Sequence, residues 1–315
     1  MLNSTILYPM QSSFNPYEWL DENSDGNRPF CYKLILPYAI IIAILSPVTV
    51  VGNSVILAAI WKKTFVKTPF HILLSGLAFT DLCTGLIAQP LVATVSLMYI
   101  VRKDHDSFTL IIDTIGVSSA IYFIEVTVLL ITLMSIERWL YMSRRSLVTS
   151  HRGCLTVVTI LIVPIPTVVL RVLANDKHSY DNRLRVAIIA TMLTCYLTTS
   201  FAYFKVYRII RHHQQQVQAN EASQNYAQQA INLAKYKKSV TTMLFIIALL
   251  SFCFIPFVVS SGVIVSLEEM SSEIYIADSV STILIFLSSS LNPGLYLWRM
   301  KDIRHGVKQL LCWGT

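Results

Sequence analysis

Along the chain, long apolar stretches alternate with short polar ones. Seven runs are long enough to cross about 30 Å of hydrocarbon as a helix, which takes roughly 20 residues. They lie near Leu34–Trp61, Pro69–Ile100, Phe108–Tyr141, Leu155–Leu173, Val186–Ile210, Ser239–Ser266 and Ile274–Trp298. In lipid a helix satisfies its own backbone hydrogen bonds, and these runs are about twice as long as barrel strands. The pattern therefore predicts an all-α membrane protein: a seven-transmembrane helix bundle over 34–298, an extracellular tail over 1–33 and a short amphipathic cytoplasmic helix over 299–315. Pro90, Pro164, Pro166, Pro256 and Pro293 fall inside the runs, where neighbouring helices can tolerate a kink. After Trp298, the positions Met300, Ile303, Val307, Leu310 and Leu311 share one helical face and the charges share the other. Such a helix lies along the inner membrane surface.

Composition narrows the class. The chain is 54% hydrophobic and 14% charged, against roughly 45–50% and about 25% for soluble domains, which argues against a two-domain soluble enzyme. The net charge of +7 is not gathered into a basic stretch with interleaved aromatics, so no nucleic-acid partner is expected. Its distribution sets the topology. Of the 25 Lys and Arg residues, eight (Arg28, Lys33, Arg102, Lys103, Arg171, Lys177, Arg183 and Arg185) fall on the side of Met1 and 17 on the other. By the positive-inside rule the amino terminus is outside and the carboxyl terminus inside. No short apolar segment with a cleavage site precedes Leu34, so the first span is expected to act as an uncleaved signal anchor. Asn3-Ser4-Thr5 has the form of a glycosylation acceptor. Cys312 ends the amphipathic segment as either a palmitoylation site or a free cytoplasmic thiol. Cys83, Cys154, Cys195 and Cys253 lie in or beside apolar runs and suggest no disulfide framework. The Gln-rich segment from Arg211 to Lys235 reads as two helices extended around a turn. The seven histidines lie at span ends or in loops, with no metal-ligand spacing or nucleophile–base pair, so no enzyme is expected.

Ionisable groups within the spans are costly and are candidates for function. Asp81 lies 14 residues past Lys67, about 21 Å along a helix and near mid-membrane. Asn53, Thr127, Ser288, Ser289 and Asn292 can supply it with oxygen ligands or donors. The set suits either a sodium ion with water or a protonated acid tying helices together. Glu125 is a second deep acid, 12 residues before Glu137. It serves either as a hydrogen-bonded helix tie or as a contact for a polar ligand group. Asp113 and Asp278 fall near the outer interface, where solvated charge is expected. A transporter is the rival reading, although only Asp81 and Glu125 begin a polar path.

Read in order, the polar motifs resemble the rhodopsin-like class of G-protein-coupled receptors, from about Pro37 to Leu311. Gly52-Asn53 resembles that family's first-helix signature and Leu77-Ala78-Phe79-Thr80-Asp81 its second. Glu137-Arg138-Trp139 resembles the Asp/Glu-Arg-Tyr element of the third helix, and Cys253-Phe254-Ile255-Pro256-Phe257 the Cys-Trp-x-Pro-Phe element of the sixth. Asn292-Pro293-Gly294-Leu295-Tyr296 matches Asn-Pro-x-x-Tyr of the seventh. The resemblance implies a plasma-membrane receptor with an extracellular ligand, a heterotrimeric G protein as partner, lipid around it and no cofactor beyond an allosteric sodium ion. It implies that Arg138 pairs with Glu137 at rest and is freed on activation, with Tyr203 and Tyr296 moving inward to meet it. Phe254, above the Pro256 kink, stands where the family usually has Trp.

Departures from the family pattern bear on the ligand. The cysteine usual 25 residues before the motif arginine is Asp113, and Arg171–Arg185 contains no cysteine, so the family's outer disulfide is missing at both ends. The fifth run has Cys195 or a neighbour where the family has proline, and the fourth lacks the usual tryptophan. Loss of the bridge and of that proline is similar to the melanocortin, cannabinoid and lysophospholipid receptors. Ala120 occupies the position of the aspartate of amine receptors, and Phe286 that of the retinal lysine of opsins. A largely apolar cavity is expected from Ala120, Ile121, Ile124, Phe254, Phe257, Val258 and Ser261, with Glu125 as its polar contact, consistent with a lipid or small amphiphile. Tyr236, Lys237 and Lys238 stand where many relatives carry an acid that restrains the motif arginine, so ligand-independent signalling is expected.

Overall fold

The computed structural model describes residues 24–62, 69–101, 107–143, 150–173, 177–219, 245, 248–249, 251–267 and 272–311. Asn3, Tyr236, Lys237, Lys238 and Cys312, and most of the Gln-rich segment, lie outside the described residues. Six helices are long and apolar enough to cross a membrane, and Ser251–Leu267 adds a shorter apolar one. Together they form a seven-helix transmembrane bundle. The first span is α1 (Ser24–Lys62), which continues outward well beyond its apolar run.

The second span is divided. Helix α2 (Pro69–Cys83) passes through a π-helical turn at Thr84–Ala88 into α3 (Gln89–Val101), and Gln89 N–H donates to the Thr84 carbonyl one residue further back than in an α-helix. Gly85 makes the turn an interhelical contact. A Cβ there would lie 3.0 Å from both Thr49 Cβ and Val50 Cγ2 of α1, and the Ser46 hydroxyl donates to the Gly85 carbonyl at 2.8 Å. Polar side chains of a neighbouring helix thus repair a backbone irregularity that lipid would penalise.

The third span is α4 (Ser107–Met142). The fourth breaks at Val163-Pro164 into α5 (Ser150–Ile162) and α6 (Ile165–Leu173), because Pro164 and Pro166 both lack the N–H that would continue the ladder. The fifth span is α7 (Lys177–Ala219), the sixth is α8 (Ser251–Leu267) and the seventh is α9 (Ser272–Arg299), with Pro293 inside it. A short amphipathic helix, α10 (Lys301–Leu311), follows. Its Ile303 and Val307 join the inner core, while Arg304 donates to the carbonyls of Leu297 and Trp298 at the end of α9.

The reading of the outer charges changes. Arg28 and Lys33 lie inside α1, and Lys177, Arg183 and Arg185 inside α7, rather than in loops; Arg171, within the expected run Leu155–Leu173, lies inside α6. A helix can run past the hydrocarbon into water without leaving backbone groups unsatisfied, so the end of an apolar run does not mark the end of a helix. The main core lies in the half of the bundle that carries α10, the inner half in the topology expected from the loop charges, where Ile56, Leu57 and Ile60 of α1 meet Leu73, Leu74 and Leu77 of α2. Val126, Leu130 and Met134 of α4 close it from the other side.

Candidate functional site

The middle of the bundle gathers the expected polar residues. Asp81 is fully buried, and Asn292 Nδ2 donates to its Oδ2 at 2.8 Å. Asn53 Nδ2 donates to the carbonyls of Thr49 at 2.9 Å and Ser289 at 3.2 Å. Asp81 Oδ1 and Asn53 Oδ1 have no hydrogen-bond partner among the described residues. Both are acceptors, and buried acceptors are rarely left unpaired, so each could take a water or a hard cation. Thr127, Ser288 and Ser289 line a narrow recess with Thr84, Phe123, Ile124, Phe254, Ile285 and Phe286, wide enough for a water-sized guest. Gln89, fully buried, donates to the Phe286 carbonyl at 3.4 Å and leaves its Oε1 unpartnered.

The outer half holds an apolar cluster among three spans. Leu184, Ile188 and Met192 of α7 pack with Ile121, Ile124 and Val128 of α4 and with Phe254, Phe257 and Val258 of α8. Five expected cavity residues therefore meet. Two do not join them. Ala120 packs with Ile42, Ala88, Ala93 and Phe286, toward the first, second and seventh spans. Glu125 accepts a hydrogen bond from Thr167 Oγ1 of α6 at 3.4 Å and does not line the recess that Ile124 lines. Successive helical residues point about 100° apart, so Ile124 and Glu125 face different neighbours. The structure thus gives Glu125 the role of a tie between the third and fourth spans.

A polar layer covers this cluster. Arg185 Nη1 donates to Ser261 Oγ at 3.3 Å and to Asp278 Oδ1 at 3.4 Å. Ser260 Oγ lies 3.5 Å from the same Asp278 oxygen and 3.3 Å from Ser281 Oγ. Asp278, expected as solvated rim charge, is instead the centre of a contact among the fifth, sixth and seventh spans. Arg171 is buried at the interface of the third and fourth spans, donating to Ser118 Oγ at 2.9 Å and to the Thr114 carbonyl at 3.3 Å. Sequence reasoning placed Arg171, Ser260 and Ser281 within spans but did not single them out, and it placed Arg185 just outside its span. The available signal was helical period: Arg185, Ile188 and Met192 fall on one stripe.

At the inner end, Arg138 places its guanidinium 4.3 Å from the centroid of the Phe70 ring, a cation–π distance. Its Nε and Glu137 Oε2 are buried without hydrogen-bond partners among the described residues. Glu137 and Arg138 make no hydrogen bond through these two atoms, and their charges remain within electrostatic reach of each other. Tyr203 and Tyr296 are buried in the same cluster as Phe70 and Met134, and Ser135 Oγ donates to Tyr203 Oη at 3.2 Å. Cys83, Cys154, Cys195 and Cys253 are free thiols.

An outer apolar cluster under a polar layer, a buried carboxylate at mid-bundle and a sheltered arginine at the inner end define a seven-helix membrane receptor. Residues 52–296 match the family model described as 7 transmembrane receptor (rhodopsin family), and the chain belongs to that family. It is a G-protein-coupled receptor and a multi-pass membrane protein. It is similar to a high-affinity lysophosphatidic acid receptor of Xenopus laevis, at 21% identity over 90% of this chain and 84% of that protein. It is also similar to a probable G-protein coupled receptor 45 of Homo sapiens, at 21% identity over 92% of this chain and 86% of that one.

Proposed function

We propose that the receptor stands in the plasma membrane with its amino terminus outside, binds a lipid or other small amphiphile in the outer half of the bundle, and activates a heterotrimeric G protein at its inner face. The observation that carries this reading is the apolar cluster of Leu184, Ile188, Met192, Ile121, Phe254 and Phe257 directly beneath the Arg185–Ser261–Asp278 layer. An apolar tail and a polar head find complementary surfaces there. The lysophosphatidic acid named for the Xenopus relative is an amphiphile of this kind.

The same reading gives the inner end its role. Arg138 stacks on Phe70, within electrostatic reach of Glu137 and Tyr203, and Tyr203 and Tyr296 are buried in the same cluster as Phe70. Basal signalling is expected from the sequence, where Tyr236, Lys237 and Lys238 stand in place of the acid that restrains the motif arginine in many relatives. At mid-bundle, Asp81, Thr127, Ser288, Ser289 and Asn292 would hold a sodium ion, whose charge would stabilise the ionised Asp81 carboxylate. The test is a panel of G-protein reporters in cells with surface expression confirmed by antibody. Basal output above empty cells, abolished by Arg138→Ala at equal surface level, supports the reading. Output no higher than in empty cells, or full output from Arg138→Ala, overturns the role given to the arginine.

A further inference from the structure

The ion pair in the outer layer constrains the ligand more tightly than the apolar cluster does. Arg185 and Asp278 come from different spans, and their side chains are 30% and 21% exposed, so both are partly withdrawn from water. Their contact at 3.4 Å is longer than the roughly 2.7–2.9 Å of a tight charge-assisted bond. The Arg185–Ser261 and Ser260–Asp278 contacts are also long, at 3.3 and 3.5 Å. The cluster is thus a pre-formed pair of opposite charges with slack between them, ringed by hydroxyls that can re-pair with either sign. It stands above the stripe of Leu184, Ile188 and Met192.

A guest that parts this pair must satisfy both charges. A purely anionic head would take Arg185 and leave Asp278 in a partly desolvated position with hydroxyl donors alone among the described residues. A purely cationic head would do the reverse to Arg185. An uncompensated charge in such a place is costly. A head group bearing both signs replaces each lost partner with an equivalent one, so its exchange leaves no charge unpaired. We propose that Arg185 and Asp278, with Ser260, Ser261 and Ser281, form the head-group subsite of this receptor and that it takes a zwitterion, with the anionic group on Arg185 and the ammonium on Asp278. The inference rests on the reading of the outer half as the ligand site and goes beyond it in fixing the ligand's charge.

The full-length, epitope-tagged receptor is tested in cells with G-protein reporters, and purified in detergent for ligand-induced shifts in melting temperature. Probes are lysophosphatidylcholine, chain-matched lysophosphatidic acid as the anion, sphingosine as the cation, and glycerophosphocholine and phenylalanine as zwitterions without a lipid tail. A zwitterion should act at concentrations at least about tenfold below those of the anion and the cation, as expected when the alternative strands a charge. Lysophosphatidylcholine acting alone among the zwitterions identifies a lipid source, and phenylalanine a free amino acid. Arg185→Gln and Asp278→Asn should each weaken the zwitterion's effect by about tenfold or more, and the exchanged pair Arg185→Asp with Asp278→Arg should recover most of it. Lysophosphatidic acid acting as well as any zwitterion, with no loss in Asp278→Asn, overturns the proposal in favour of an anion site. Sphingosine acting as well, with no loss in Arg185→Gln, overturns it in favour of a cation site. No melting shift with any zwitterion also overturns it. In each case the receptor reading stands or falls separately, on Arg138-dependent basal signalling.

Discussion

The first and seventh spans pack closely where Gly52 meets Pro293, and the contact can be tested by adding one methyl group. A Cβ on Gly52 would lie 2.9 Å from Pro293 Cγ and 3.2 Å from Pro293 Cβ, against an optimum of about 3.5–4.0 Å between carbons. The proline ring is closed onto its own backbone and cannot rotate aside, so α1 and α9 must part by roughly 0.6 Å or more. Two hydrogen bonds cross the same interface, Asn53 Nδ2 to the Ser289 carbonyl at 3.2 Å and the Thr49–Ser290 hydroxyl pair at 2.6 Å. The first has no slack to absorb the movement. Overpacking of this kind costs about 1–3 kcal/mol, and a lost hydrogen bond adds about 1 kcal/mol, so Gly52→Ala should destabilise the receptor by about 2–4 kcal/mol. Buried free thiols at Cys195 and Cys253 allow thermal unfolding of purified receptor to be followed with a thiol-reactive dye. Gly52→Ala should melt several degrees lower. Pro293→Ala removes the Cγ, so the double variant should lose less than the sum of the singles by about 1 kcal/mol or more. Strict additivity, or an unchanged melting temperature in Gly52→Ala, refutes the contact.

Arg171→Met removes donors from Ser118 Oγ and the Thr114 carbonyl and should cost about 2 kcal/mol, hydrogen bonds from charged groups being worth about 1.5–3; Ser118→Ala, which removes one acceptor, should cost less in the same melting assay. Tyr122→Phe deletes the hydroxyl that donates to the Leu161 carbonyl at 2.7 Å and should cost about 1 kcal/mol. Asp81→Asn should blunt activation and remove any sodium sensitivity, read as nucleotide exchange in membranes with sodium or potassium chloride; a variant that keeps the sodium response excludes Asp81 as the ion's anchor.

What was legible in the sequence follows from what the bilayer penalises. Seven runs were evident because no shorter apolar stretch spans the hydrocarbon, and Asp81 with Asn292 stood out because polar residues there must find one another. Details set by local rotation were not evident. The π-helical turn at Thr84–Ala88 has no compositional mark except Gly85, whose use depends on Thr49 and Val50 of another helix. For Glu125 the sequence left a helix tie and a ligand contact both open, and its hydrogen bond from Thr167 fits the tie. Arg185 was read as a loop charge because it precedes an apolar run, whereas α7 begins eight residues earlier at Lys177. In each case the deciding quantity was the direction of a side chain around its helix, which depends on where neighbouring spans sit.

Helix α9 runs through every layer of the site. Asp278 and Ser281 face the outer cluster, Ile285, Ser288 and Ser289 line the recess, Asn292 holds Asp81, and Tyr296 is buried in the inner core. These positions recur every three or four residues, so they form one face of the helix, and a tilt or rotation of α9 alters all of them together. Its attachments differ along its length. The outer contacts of Asp278 are 3.4 and 3.5 Å long, whereas the Asn292–Asp81 bond is 2.8 Å and Pro293 abuts the bare backbone of Gly52. At Asp278 the helix is held by longer contacts than at its middle, which makes the Asn292–Pro293 region a natural pivot. A guest that parts Arg185 from Asp278 would release the outer end, and the inner arm of the same rod carries Tyr296. Such a guest shifts the equilibrium only as far as it binds one setting of α9 better than the other, so the charge requirement at the outer layer and the signal at the inner face are parts of one energetic link.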